Sequence, residues 1–122
     1  NKFSIEDRVI RIPVVQYSDM YKYMISCDCY VNFSHVEIFG MTILDCMYYG
    51  IPVLAHTAPG PNEIIENGIS GYLLDSDNPS DWYKTILTAL NNKDITALAS
   101  KKRIMEHFTW DVIADDFLSL IH

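Results

Sequence analysis

The chain predicts an α/β fold built on a parallel sheet of about four strands with helices on both sides. Three observations carry this. Short runs of apolar, aromatic and β-branched residues recur at 8–12, 29–33, 52–55 and 71–74, with the length and composition of buried strands. The stretches between them carry helical spacing or helix punctuation, and a connection of that kind between strands is a parallel crossover. From about residue 80 onward the chain turns helical and closes in two or three helices. At 122 residues and 49% hydrophobic content it has the size of one continuous domain, 1–122, with a real core and no repeats.

The first strand, 8–12, is stopped by Pro13, and Pro13, Val14 and Val15 form the loop at its end. Ser18 is placed to cap a helix over 19–26, in which Tyr17, Met20, Tyr21 and Met24 fall on one face and read as core. Cys-Tyr-Val-Asn-Phe at 29–33 is the second strand. A helix over 39–49 follows, with Gly40 at its mouth, where backbone can approach a ligand, and Gly50 at its exit in a position that tolerates a left-handed conformation. The strand at 52–55 leads through His56 to Gly60 into a short helix, 61–66, with Pro61 in its first turn and Asn67-Gly68 at its end. That loop is either an ordinary turn or a phosphate or sugar contact. The strand at 71–74 passes through a polar loop at 75–80 into a helix carrying Trp82, Ile86, Leu87 and Leu90. Residues 91–94 break it and 95–108 form another, whose Lys101-Lys102-Arg103 reads as a solvated face. Thr109 caps the last helix, whose stripe of Trp110, Ile113, Ala114, Phe117, Leu118 and Ile121 calls for burial.

Composition removes several classes of function. A net charge of −7 and a pI near 4.8 argue against a nucleic-acid or anionic-membrane footprint in this segment. No apolar run approaches the ~18 residues of a membrane span. Cys27, Cys29 and Cys46 are an odd set in apolar surroundings, as for reduced thiols in a cytoplasmic protein, and Cys27-Asp28-Cys29 lacks the second ligand pair of a metal finger. Any peripheral membrane attachment belongs to parts outside this segment. His35 reads as a loop residue near Glu37, His56 follows a strand end with a site role left open, and His107 and His122 read as surface. The start at Asn1 suggests an excerpt of a longer chain.

The two acids of the central stretch, Glu37 and Asp45, are the candidate site residues. Were both on one helix, eight residues would separate their backbones by ~12 Å. Glycosidase carboxyl pairs stand roughly 5 to 9.5 Å apart, so a two-carboxylate hydrolase is disfavoured. A ligand long enough to touch both, with an anion at the helix amino terminus between them, fits better. A nucleotide sugar has that layout.

The stretch Ser34, Glu37-Ile38-Phe39-Gly40, Asp45-Cys46-Met47, Gly50-Ile51-Pro52-Val53 resembles the signature of the retaining glycosyltransferases of family 4, and the likeness continues through 58–65, 67–74 and Phe108-Thr109-Trp110. The resemblance implies the donor-binding, carboxyl-terminal domain of a GT-B fold, in part. It implies transfer of a hexose from a UDP- or GDP-sugar co-substrate with retention, without a metal or other cofactor, onto an acceptor held by a separate amino-terminal domain. Glu37 is then the catalytic residue, Phe39, Gly40, Met41 and Thr42 hold donor sugar and phosphate, Asp45 the ribose, and Pro13 and Val14 the nucleobase. The products of such enzymes are polysaccharides, glycolipids or glycoprotein glycans. Two positions depart from the family pattern: Ile38 replaces a glycine, and Asp45 is shorter than the usual glutamate by about 1.5 Å of reach. The resemblance also implies two further strands between those at 8–12 and 29–33, which this chain lacks, so either these two strands pair directly or an exposed sheet edge is covered by a second copy of the chain. The other reading is a non-catalytic GT-B-like module acting as a partner or regulatory subunit.

Overall fold

The computed structural model describes residues 3–121, so His122 lies outside the described residues. Within them, β1 (Tyr30–Asn32), β2 (Val53–His56) and β3 (Tyr72–Leu74) form one parallel sheet in the order β1-β2-β3. Tyr30 stands opposite Val53, and Leu54 opposite Tyr72. The helices are α1 (Tyr17–Met24), α2 (Met41–Tyr48), α3 (Pro59–Ile64), α4 (Pro79–Asn91), α5 (Lys93–His107) and α6 (Trp110–Ile121).

The central strand explains the two layers. Every residue of β2 is buried, and alternate side chains leave on opposite faces. Val53 and Ala55 pack with Met24 of α1, Ile43, Cys46 and Met47 of α2, Ile64 of α3 and Ile104 of α5. Leu54 packs on the other face with Tyr72 and Leu74 of β3 and Trp82 and Ala89 of α4. Each fully buried aliphatic side chain here contributes roughly 1.5–3 kcal/mol, so these two clusters hold the strand ends in place.

Helix α2 starts and stops as its glycines require. Gly40 at its N-cap has φ +96°, and Gly50 just past its end has φ +74°. There the Gly50 N–H donates to the Met47 carbonyl at 3.0 Å and the Ile51 N–H to the Cys46 carbonyl at 2.9 Å, which closes the helix as a Schellman motif.

Several expectations are corrected. Residues 8–12 form no strand: a 3₁₀ turn over Glu6–Arg8 gives way to irregular chain, with Val9, Ile10 and Ile12 exposed. A strand needs a neighbour to complete its ladder, and among the described residues β1 pairs only with β2. The sheet therefore has three strands, and Pro13 and Val14 follow no strand end. Helix α1 begins at Tyr17 with Gln16 at its N-cap, so Ser18 lies inside the first turn. Pro59, not Pro61, opens α3. The α6 stripe is not buried: Trp110, Phe117 and Ile121 are 85%, 61% and 61% exposed. Among the described residues that face is only partly covered, with Trp110 and Ile113 bordering a groove against α2 and the rest open. Nor is the basic cluster merely solvated, because Arg103 donates from Nε to the Ile64 carbonyl and from its guanidinium to the Glu63 carbonyl at 3.0 Å. It thereby caps the carboxyl end of α3 with positive charge.

Cys46, 1% exposed, shows how dry this face is. Burial first, then the Asp45 and Cys27 charges, push its thiol up from 9.0 to about 12. At pH 8 about one such thiol in ten thousand is ionised. Iodoacetamide is therefore expected to label exposed Cys27 and leave Cys46 intact until the chain unfolds, as read by peptide mass. Equal labelling of both in native buffer contradicts this packing. Because the folded value lies above the unfolded one, the thiol's contribution to stability is complete below pH 9.0 and is lost as pH climbs towards about 12.

Candidate functional site

The candidate site forms where β1 gives way to α2, at the carboxyl edge of the sheet. The connecting loop is held by its own side chains: Asn32 Oδ1 accepts from the Ser34 N–H at 2.9 Å, and the Ser34 hydroxyl donates to the Val36 carbonyl at 2.9 Å. The same loop is fixed from the far side by α3. The Gly60 N–H, one of the unpaired donors of that helix's first turn, donates to the Glu37 carbonyl at 2.9 Å. A Cβ at Gly60 would stand 2.5 Å from the Phe39 oxygen and 2.7 Å from its carbonyl carbon, so only glycine lets the two backbones meet. In the 56–60 loop the Gly60 donor is thus spent on the Glu37 carbonyl and not on a ligand.

Glu37 thus stands in the loop before α2, half-buried, and not on a helix shared with Asp45. Beneath it on β1, burial first raises the Tyr30 phenol above its usual range, and the Cys46 and Glu37 charges add to the shift while a hydrogen bond with Thr42 opposes it. Phe39, Gly40, Met41 and Thr42 come together at the mouth of α2, as the sequence predicts. The first helical bond there runs from the Leu44 N–H to the Gly40 carbonyl at 3.1 Å. The N–H groups of Met41, Thr42 and Ile43 precede it and point out of the positive end of the helix, which suits an anion.

Asp45 lies one turn further along α2 and faces a groove of about 440 Å³ between α2 and α6, shared with Phe39, Met41, Tyr48, Phe108 and Trp110. Its Oδ2 accepts from the Tyr17 hydroxyl at 2.9 Å. That hydrogen bond first, and the Asp45 charge second, raise the Tyr17 phenol above its usual range. The structure thus gathers Phe39, Met41 and Asp45 in one groove. It does not bring Pro13 and Val14 to them, since both sit in the exposed segment before α1 and neither lines the groove.

Three residues escaped sequence reasoning. Tyr17 has the spacing of a core stripe, yet it is 68% exposed and tethers Asp45. Gly60 carried no signal beyond its place in a loop. Asp77 lies in a polar connection, but the fold sets it beside both histidines left open by the sequence. His35 Nε2 is 3.0 Å and His56 Nε2 3.7 Å from Asp77 Oδ1, at a cavity of about 400 Å³ also lined by Phe33, Trp82 and Tyr83.

The comparisons with known proteins give the family and the fold. A family model described as Glycosyl transferases group 1 matches residues 1–107. A probable sucrose-phosphate synthase from Thermosipho melanesiensis is 34% identical over 88 residues, which are 72% of this chain and 20% of that protein. Among solved structures, Anabaena HepE in complex with UDP-glucose superposes with a TM-score of 0.84 at 23% identity, over 98% of this chain and 34% of its own. The C-terminal domain of a glycosyl transferase group 1 family protein from Francisella tularensis gives a TM-score of 0.72 at 18% identity, over 82% of this chain and 53% of its own. These superpositions show the α/β fold of GT-B carboxyl-terminal domains. The chain spans a fifth of the length of the curated relative.

Proposed function

Since the chain belongs to the glycosyl transferases group 1 family, we propose that it is the donor-binding part of a retaining, family 4 hexosyltransferase that uses a nucleoside-diphosphate sugar. The observation that carries this reading is the meeting of the α2 amino terminus with Phe39, Met41 and Asp45. One end of the site offers N–H groups and a positive dipole to a diphosphate, and the other offers a carboxylate to a ribose diol. The UDP-glucose bound by Anabaena HepE favours a UDP-sugar over a GDP-sugar.

In this reading the leaving diphosphate gains charge as the glycosidic bond breaks, and donors already aimed at it stabilise that charge without reorganising. Glu37 holds the donor sugar's hydroxyls and answers the positive charge growing at its ring. No metal cofactor takes part in the transfer. A separate amino-terminal domain supplies the acceptor, which decides whether the product is a polysaccharide, a glycolipid or a glycoprotein glycan. The nucleobase contact assigned to Pro13 and Val14 requires their segment to fold towards the groove.

One observation favours the alternative, a non-catalytic GT-B-like module: the short Asp45 carboxylate already accepts a hydrogen bond from Tyr17. Ligand-detected NMR with UDP, GDP, ADP and their hexose conjugates separates the two. The expected outcome is selective transfer of saturation to UDP and its conjugate, weakened roughly tenfold or more in Asp45→Ala, as for loss of a hydrogen bond to a charged group. Silence from every nucleotide in the full-length protein would leave the non-catalytic module standing.

A further inference from the structure

We propose that His35, His56 and Asp77 form a binding site for a divalent transition metal of the zinc class, which would join the loops that follow all three strands. His35 comes from the loop after β1, His56 from the last position of β2 and Asp77 from the loop after β3. One ligand atom from each lies within 4.8 Å of the others. Nitrogen and carboxylate ligands bound tetrahedrally at 2.0–2.2 Å stand about 3.4 Å apart. The separations of 3.0 Å and 3.7 Å to Asp77 Oδ1 bracket that value.

The hydrogen bonding of His56 suits a ligating imidazole. His56 Nδ1 lies 3.2 Å from the Thr57 carbonyl oxygen, which can only accept, so Nδ1 carries the ring proton. Its Nε2 therefore presents a lone pair towards Asp77 Oδ1, 3.7 Å away, and is the ring nitrogen free to ligate. A backbone carbonyl on the far nitrogen is also what fixes a ligating imidazole in the right tautomer and orientation. The three groups border the cavity faced by Phe33, Trp82 and Tyr83, leaving a fourth position open to water or to a ligand within it. Two imidazoles and one carboxylate suit Zn²⁺ and disfavour Mg²⁺ and Ca²⁺, which prefer oxygen alone. Its test reads metal binding alone and stands independently of the transfer reaction proposed above.

The test is a titration of the chain with Zn²⁺ in metal-free buffer, followed by calorimetry and by the ring ¹⁵N shifts of the histidines. One equivalent should move His35 and His56 and leave His107 in place, while Mg²⁺ moves none. His35→Ala and Asp77→Ala should each weaken Zn²⁺ at least tenfold. Both side chains are largely exposed, 59% and 80%, so neither substitution threatens the fold, and an unchanged amide spectrum without metal verifies this. The site is overturned if millimolar Zn²⁺ leaves the two rings unmoved, if both variants bind like the parent chain, or if the response falls on Cys27 and Cys29. A cluster that responds to pH alone holds a proton and not a metal, which also overturns it.

Discussion

Glu37→Gln in the full-length protein that carries this chain is expected to lower sugar transfer by about 10²- to 10³-fold, the range for removing one preorganised electrostatic partner of a transition state. Glutamine keeps the shape and the hydrogen-bonding oxygen but removes the charge that answers the growing cation. The loss should therefore fall on kcat, with donor affinity nearly unchanged. The loop that carries Glu37 is tied by Asn32, Ser34 and Gly60 through bonds that do not involve the carboxylate, so the substitution leaves its position intact. Steady-state kinetics with a UDP-hexose decides the matter. Near-normal turnover by the variant would remove Glu37 from the mechanism and the family 4 reading with it.

Gly60→Ala should damage both stability and activity without touching a ligand. The added methyl must displace the Phe39 backbone, which cannot rotate aside as a side chain would. Overpacking of this kind costs about 1–3 kcal/mol, a fall in Tm of roughly 4 °C for each kcal/mol in a chain of this size. The displaced segment runs from Glu37 to the mouth of α2, so donor binding and turnover should fall together. Gly68→Ala is the control. Its φ of +78° carries backbone strain of about 1–2 kcal/mol, yet its Cβ meets nothing within 4 Å. It should lose stability by thermal denaturation and keep donor affinity. If Gly60→Ala binds donor as the parent does, the contact between the two loops is not what holds the site.

What the sequence made legible is what neighbouring residues decide among themselves. The strands at 30–32, 53–56 and 72–74 announce themselves by short apolar runs between glycines and polar loops. Gly40 and Gly50 mark both ends of α2 because each needs a conformation that other residues resist. What failed depends on distant partners. Among the described residues the run at 8–12 has the composition of a strand but finds no ladder, and the stripe on α6 has the spacing of a buried face but stays largely exposed. The site divides the same way. Phe39 to Thr42 form a contiguous helix mouth and could be placed from the motif, whereas Tyr17 reaches Asp45 across 28 positions and Asp77 reaches the histidines only once three strands align.

The parallel sheet also fixes when the site can appear during folding. Tyr30 finds Val53, and Leu54 finds Tyr72, only after each crossover closes a loop of about twenty residues, and such closures come at an entropic cost before any ladder repays it. The loop bearing Glu37 opens the first of these crossovers, and its anchor, Gly60, lies beyond the second strand. No early, local fragment can contain a finished donor site. Its assembly needs α2 and α3 docked onto the sheet, so nucleotide protection is expected to emerge in refolding experiments with the main phase and not ahead of it.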